Sequence, residues 1–108
     1  MQTTEKYYYS SGGTFGLEYT FYKLVKETKT GIRLVCIDKV KVRDLDKFNC
    51  IVKPLDIEDS NTFHAKKRTD RNGVCYQHCN TYINEIDNIN DEFEERTQVY
   101  KDYQMFIN

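Results

Sequence analysis

Between residues 17 and 42 apolar side chains recur at every second position, which is the period of a β-strand. The first run contains Leu17, Tyr19, Phe21 and Val25, and the second contains Ile32, Leu34, Cys36, Val40 and Val42. Gly31, at the end of the intervening segment ETKTG, supplies the permissive φ angle that a hairpin turn needs. The pattern predicts an antiparallel hairpin with one buried face and one face that becomes cationic toward Arg43.

Two further strands are predicted beside this hairpin. Residues 47–54, KFNCIVKP, are rich in β-branched side chains and end at Pro54, the only proline. The segment EKYYYSS near the N-terminus adds a fourth strand, since a two-stranded ribbon alone is marginal in water. We therefore expect a three- or four-stranded antiparallel meander over about residues 5–53. The polar residues 54–72 that follow are interpreted as a long basic loop.

From residue 73 onward the apolar spacing alternates between three and four, as on one face of an amphipathic helix. The stripe contains Cys75, Cys79, Tyr82, Ile86, Ile89, Phe93, Tyr100, Tyr103 and Ile107, with Arg96 as an interruption. We predict one long helix over residues 73–107, and a helix broken near Asn90 is the alternative, because Asn and Asp favour caps. The predicted fold is α+β, a single domain of residues 1–108 in which the C-terminal helix packs on the meander.

Four cations precede the predicted helix and form the first candidate site. They are Lys66, Lys67, Arg68 and Arg71. Beside a helix N-terminus, an anion would be favoured both by these side-chain charges and by the backbone N–H groups of the helix. Arg can also hold a phosphate or carboxylate with two hydrogen bonds. These residues therefore predict a binding surface for a partner or a phosphorylated ligand, with a solvated loop as the alternative.

Tyrosine is abundant, with nine residues and no tryptophan in the chain. Tyr7 and Tyr9 share one face of the first predicted strand while Tyr8 takes the other, so at least one ring is expected to be accessible. Large amphipathic rings are enriched in interfaces. Tyr7 and Tyr9 are therefore candidate contacts for a partner.

Cys75, His78 and Cys79 form a third candidate site. At helical positions i, i+3 and i+4 their side chains could converge on a zinc ion. A structural zinc site needs four ligands, however, and the usual C-x-x-C spacing is absent. We favour the alternative that Cys75 and Cys79 are small apolar residues of the helix stripe, with a reactive thiol as a further alternative.

The length of the predicted helix suggests a homo-oligomer. A stripe of about nine turns is nearly 50 Å long at about 1.5 Å per residue, whereas a small sheet is about half that length. A second copy is the simplest cover for the overhang. The predicted oligomer interface comprises Ile86, Ile89, Phe93, Tyr100 and Tyr103.

Composition narrows the class of protein. The 108 residues fit one domain, and 39% hydrophobic and 14% aromatic residues exclude a disordered chain. No apolar run approaches the roughly 18 residues of a membrane span, and the N-terminus lacks the features of a secretory signal. We therefore expect a cytoplasmic protein without membrane contact, whose four cysteines are reduced.

Charge is distributed unevenly along the chain. Residues 1–72 carry 14 Lys and Arg against 10 Asp and Glu, whereas residues 73–108 carry 2 against 7. This asymmetry favours a basic and an acidic surface that meet different partners. Nucleic acid is not expected as the main target, because the basic excess of a DNA-binding domain normally dominates it.

These features favour a small non-enzymatic interaction protein that blocks or sequesters a protein partner. No nucleophile–base arrangement and no phosphate-binding motif is present, so neither an enzyme nor a cofactor is expected. A composition rich in Lys, Asn, Tyr and Ile is typical of AT-rich genomes, which suggests a phage or mobile-element inhibitor acting in the host cytoplasm. The alternatives are a module that binds a nucleotide or phosphorylated ligand through residues 64–71 and a zinc-stabilised domain.

Overall fold

The computed structural model describes residues 5–13, 16–71 and 73–96, and within them the chain forms strands and no helix. One antiparallel sheet contains β1 (Tyr7–Gly12), β2 (Glu18–Glu27), β3 (Gly31–Asp44), β4 (Asn49–Asp70), β5 (Gly73–His78), β6 (Thr81–Ile86) and β7 (Phe93–Arg96). The predicted α+β fold is therefore wrong, and the described fold is all-β. Residues 97–107, predicted as the last part of the helix, lie outside the described residues.

The strands β1 to β6 follow one another around a closed ring. Closure occurs because β1 pairs with both β2 and β6, while β4 pairs with both β3 and β5. Each of these six strands thereby has a neighbour on both sides, which pairs the backbone groups of the ring within the sheet.

Beyond Ile37, β3 and β4 continue out of the ring as a hairpin, residues 38–54, which we call the arm. The pairing of β2 with β3 ends at Phe21 opposite Ile37, whereas β3 and β4 remain paired to the end of β3. The short strand β7 pairs with the arm portion of β4, and a bridge between Leu17 and Arg96 connects β7 to the start of β2. The arm and β7 consequently cover one outer face of the ring.

Two hydrophobic cores lie on opposite faces of β1 and β2. The first core, inside the ring, contains Tyr8, Tyr22, Ile32, Leu34, Ala65 and Ile83. The second core, between the ring and the arm, contains Tyr7, Phe21, Ile37, Val52 and Ile86. Because both faces of the shared strands are covered, these strands carry apolar residues at both parities, and the prediction of one buried face is wrong.

The predicted hairpin and the two additional strands are confirmed as β1 to β4. Gly31 is required for a different reason from the one predicted, since it is not among the residues with positive φ. A Cβ atom at Gly31 would lie only 2.0 Å from the carbonyl oxygen of Ala65. Glycine therefore permits the close approach of β3 and β4.

Residues 54–72 are mostly strand and not the predicted basic loop, because β4 extends to Asp70. Backbone pairing with β3, and from Lys66 onward with β5, holds this polar segment without extensive apolar burial. Between Thr62 and Leu55 the register against β3 shifts, so β4 contains an irregular, bulged stretch there.

The helical spacing after residue 73 arises from short strands buried on both faces. Ile83 and Ile86 are three residues apart, and a helix would place them on one face. On β6 an odd separation places them on opposite faces, and Ile83 lies in the first core while Ile86 lies in the second. Both residues are buried in either fold, so their spacing does not distinguish the two.

Candidate functional site

The predicted anion-binding residues do not converge. Lys66, Lys67 and Arg68 are consecutive residues of β4, so their side chains alternate between the two faces of the sheet. Arg71 lies in the turn that follows. Because β5 and not a helix begins at Gly73, the helix N-terminus that would favour a phosphate is not formed.

The three candidate metal ligands also separate. Cys75 and His78 are three residues apart on β5, so their side chains point to opposite faces. Cys79 is exposed in the turn before β6, and all four cysteines are free thiols. Within residues 5–13, 16–71 and 73–96 no group of three or more His, Cys, Asp and Glu side chains could hold a metal ion.

Tyr7 and Tyr9 share one face of β1, as predicted, but that face is covered by the arm. Tyr7 is buried and Tyr9 is half-buried. The ring of Tyr9 lies 5.8 Å from that of Tyr19 and 5.1 Å from that of Phe93, measured between centroids. These rings build the second core and do not form an exposed stacking surface.

The residues predicted for the oligomer interface are used within the chain where the structure describes them. Ile86 is buried in the second core, and Ile89 and Phe93 pack against it. Tyr100 and Tyr103 lie outside the described residues. Oligomerisation remains a prediction, but its physical motive, a helix longer than the sheet, is not found where the structure describes residues 73–96.

A charged cluster that sequence reasoning missed joins β2 to the bulged part of β4. The ammonium group of Lys23 lies 3.3 Å from Glu5, 3.2 Å from Asp56 and 3.4 Å from Glu58. The hydroxyl oxygen of Tyr7 lies 2.8 Å from Glu5 and 2.9 Å from Asp56, so its single proton is shared between two carboxylate acceptors. No sequence pattern indicated this cluster, because its members come from three strands and a terminal segment.

The electrostatics of this cluster argue for a structural role. Burial lowers the pKa of Lys23, but its hydrogen bonds to Asp56 and Glu5 outweigh burial and hold the pKa above its ordinary value. Burial, together with hydrogen bonds to the same two carboxylates, raises the pKa of Tyr7. The ion pairs and hydrogen bonds of this cluster connect β4 to β1 and β2.

The arm portion of β3, residues 38–44, has a strand neighbour on one side only among the described residues. On that side it pairs with β4. On the other side the pairing with β2 ends at Phe21 opposite Ile37. We call this open side the free edge. Its length matches an ordinary strand, and unpaired backbone groups along such an edge are a template for an added strand.

The outer face of the arm beside the free edge carries exposed apolar residues, with Lys53 opposite Val40 and Asp38 opposite Leu55. Val40 and Val42 are 37% and 38% exposed, and Leu55 on the neighbouring strand is 38% exposed. Leu45, in the turn at the tip of the arm, is 47% exposed. These four exposed apolar residues are distributed from the base to the tip of the arm, where a partner could bury them.

The inner face of the free edge is cationic. Lys39 and Lys41 flank Val40 in the strand and lie on the face opposite to it, and Lys41 lies opposite Val52 of the second core. A register shift after Lys41 places a bulge there, which is a common way to limit uncontrolled pairing at an edge. Each cation has an internal partner, and the pairs are Lys39–Glu95, Lys41–Asp44 and Arg43–Glu92.

No protein-family model, curated protein or solved structure matches this chain. The described part of the chain also contains no helix with the length and apolar character needed to cross a membrane. Function must therefore be argued from the geometry of the strands and their side chains.

Proposed function

We propose that this protein is a non-enzymatic binding domain that captures an extended segment of a protein partner by strand addition at the free edge. The observation that supports the proposal is the early end of β2–β3 pairing, which leaves residues 38–44 with one strand neighbour among the described residues. Backbone hydrogen bonds supply affinity in this mode of recognition, and alternate side chains supply specificity.

The two faces of the edge define the partner's chemistry. An added strand would place a side chain beside Val40 on the outer face, where an apolar residue is favoured. Its other side chains would lie beside Lys41, which is exposed and paired with the exposed Asp44, so a carboxylate is favoured there. The expected partner segment is therefore extended and alternates apolar with acidic residues.

A second copy of the same edge is a poor partner. In antiparallel self-pairing, every register that sets valine opposite valine also sets Lys39 or Lys41 opposite a cation, and like charges directly opposite are destabilising. The remaining registers set Val40 or Val42 opposite a charged residue of the same edge. The edge thus disfavours self-association and favours a different chain.

Sequestration of a partner segment would also make the domain an inhibitor. A segment held as an added strand cannot simultaneously serve its own fold or another interface. This part of the proposal extends the sequence-based hypothesis of an inhibitor of a host factor and supplies a mechanism for it.

Nuclear magnetic resonance titration with a synthetic peptide tests the proposal. The peptide has about seven residues alternating valine and glutamate, long enough to span the edge at about 3.4 Å per residue. We expect saturable shifts for residues 38–44, with slower hydrogen exchange of those backbone amides that point away from β4. A peptide with lysine in place of glutamate should bind more weakly.

A matched pair of variants controls for non-specific binding. Val40→Lys places a charge on the outer face of the edge and should abolish peptide binding. Val74→Lys changes a valine that is 54% exposed on β5 and should leave binding unchanged. Binding that survives in Val40→Lys, or shifts that map to β5, would show that the edge is not the binding site.

A further inference from the structure

A polar cavity of about 280 Å³ opens at the end of the ring from which β3 and β4 continue into the arm. It lies between β1, β2 and the hairpin of β5 and β6. The residues that line it are Ser10, Ser11, Gly12, Glu18, Thr20, Tyr22, His78, Thr81 and Ile83. The same alternation that directs Tyr8 into the first core directs Ser10 and Gly12 into this cavity, so the interior of the ring changes from apolar to polar along its axis.

The floor of the cavity is buried and fixed. Ser10, Tyr22 and Ile83 are 5%, 9% and 3% exposed. The hydroxyl oxygens of Ser10 and Tyr22 are hydrogen-bonded at 2.8 Å. Burial raises the pKa of Tyr22 despite this hydrogen bond, so the phenol keeps its proton at neutral pH and both hydroxyls can donate and accept.

His78 at the rim is held in a defined orientation. Its Nδ1 atom lies 3.2 Å from the carbonyl oxygen of His64, and its ring centroid lies 4.4 Å from that of Phe63. A carbonyl oxygen only accepts, so Nδ1 carries the proton, and in the neutral ring Nε2 is then an acceptor. Glu18 supplies a carboxylate acceptor at the same rim, while Thr20 and Thr81 supply hydroxyls.

We infer that this cavity binds a small, uncharged, polyhydroxylated molecule of about monosaccharide size. None of the described residues that line it is Lys or Arg, so an anion finds no fixed positive charge there. Several hydroxyls that both donate and accept, with two further acceptors, complement a ligand whose own groups are hydroxyls. The volume corresponds to roughly nine waters at about 30 Å³ each, which suits such a ligand.

Titration with D-glucose and D-ribose, followed by backbone amide resonances, tests the inference. We expect saturable shifts at Gly12, Thr20 and Thr81 with at least one sugar. Inorganic phosphate and methylammonium are the comparison probes and should give none. Failure of both sugars to produce saturable shifts, or saturable binding of methylammonium or phosphate at these amides, would overturn the inference.

Hydroxyl-deleting variants of the same shape locate the site. Thr20→Val and Thr81→Val should each weaken sugar binding about three- to tenfold, the usual effect of one lost hydrogen bond. Thr20→Ser keeps the hydroxyl and should keep the affinity, while Thr69→Val changes a threonine of β4 outside the cavity and serves as the control. Equal affinity in all four variants would refute the site even if the sugar binds. None of these variants changes a residue of the free edge, so this result is independent of the peptide titration.

Discussion

Glu95 on β7 and Lys39 on β3 form an ion pair at the point where β2 and β3 separate. Glu95 also accepts a 2.8 Å hydrogen bond from the backbone N–H of Tyr19, and Lys39 donates a 2.9 Å hydrogen bond to the carbonyl oxygen of Tyr19. The two side chains therefore replace a strand neighbour for Tyr19. Glu95 is only 7% exposed, and a buried carboxylate is strongly unfavourable unless it is paired. This contact fastens the arm and β7 to the ring.

Replacement of Glu95 by Gln keeps the side-chain size but removes the charge. Lys39 loses its ionic partner and the Tyr19 N–H loses a charged acceptor. We expect the free energy of unfolding, measured by urea denaturation, to fall by about 1–3 kcal/mol. The control is Glu92→Gln, which breaks the exposed pair with Arg43 and should lower stability by at most about 1 kcal/mol. Equal losses in the two variants would contradict a structural role for Glu95.

Replacement of Lys23 by Met leaves the carboxylates of Glu5, Asp56 and Glu58 together without a cation. We expect a loss of about 1–2 kcal/mol at neutral pH, because like charges then repel around a half-buried position. The loss should shrink when the solution is acidified enough to neutralise the carboxylates. Urea denaturation at several pH values measures both effects. The control is Lys26→Met, at an exposed residue of the same strand, which should show neither the loss of stability nor its dependence on pH. A loss in Lys23→Met that does not change with pH would argue against repulsion between the carboxylates.

Alkaline pH should destabilise the fold through Tyr8. Burial, followed by the negative charge of Glu85, raises the pKa of Tyr8 from its ordinary value of 10.0 to about 12. Above pH 10 the unfolded chain therefore loses the tyrosine proton while the folded chain keeps it, so stability falls as the pH rises from about 10 to about 12. Urea denaturation across this range should show a shallower decline in Tyr8→Phe. The control is Tyr82→Phe, at a residue that is 58% exposed, which should not change the slope of stability against pH. Identical slopes in the unmodified protein, Tyr8→Phe and Tyr82→Phe would contradict the assignment of this pH dependence to Tyr8.

Replacement of Cys79 by Gly should stabilise the protein. Cys79 has a φ angle of 55° and is the first of two turn residues between His78 and Thr81. Positive φ at the first position is typical of a hairpin turn that prefers glycine there. We expect the free energy of unfolding to rise by about 0.5–1 kcal/mol. Cys75→Gly, in the middle of β5, is the control and should lower stability; a loss at position 79 as well would show that the thiol itself is needed.

The N-terminal half of the fold could be predicted because its pattern is local. Alternation from Leu17 to Val25 and from Ile32 to Val42 has no helical counterpart, and the intervening turn sets the pairing of β2 with β3. The C-terminal half could not be predicted in this way, since Ile83 and Ile86 are buried by two cores on opposite faces. The two strands around residues 79–80 carry a weaker signal, a two-residue connection between aromatic and β-branched segments, which could have indicated the hairpin of β5 and β6.

The candidate sites depend on contacts that are distant in sequence. The free edge exists because β3 leaves β2 at Ile37, and Glu95 occupies the position beside Tyr19 that a strand would otherwise take. The polar cavity exists because ring closure brings Ser10 and Thr20 beside His78 and Thr81. Neither arrangement follows from residue spacing along one strand.

Local alternation and turn residues in the chain were therefore sufficient to specify that β1 to β4 are strands and how β2 and β3 pair. Closure of the ring, burial of both sheet faces, the open edge of β3 and the polar cavity were decided by the tertiary fold. The physical reason is that the two-residue period of a strand determines which side chains share a face of the sheet. The period does not determine whether one face or both faces of that sheet will be buried. That outcome depends on which distant strand packs against each face.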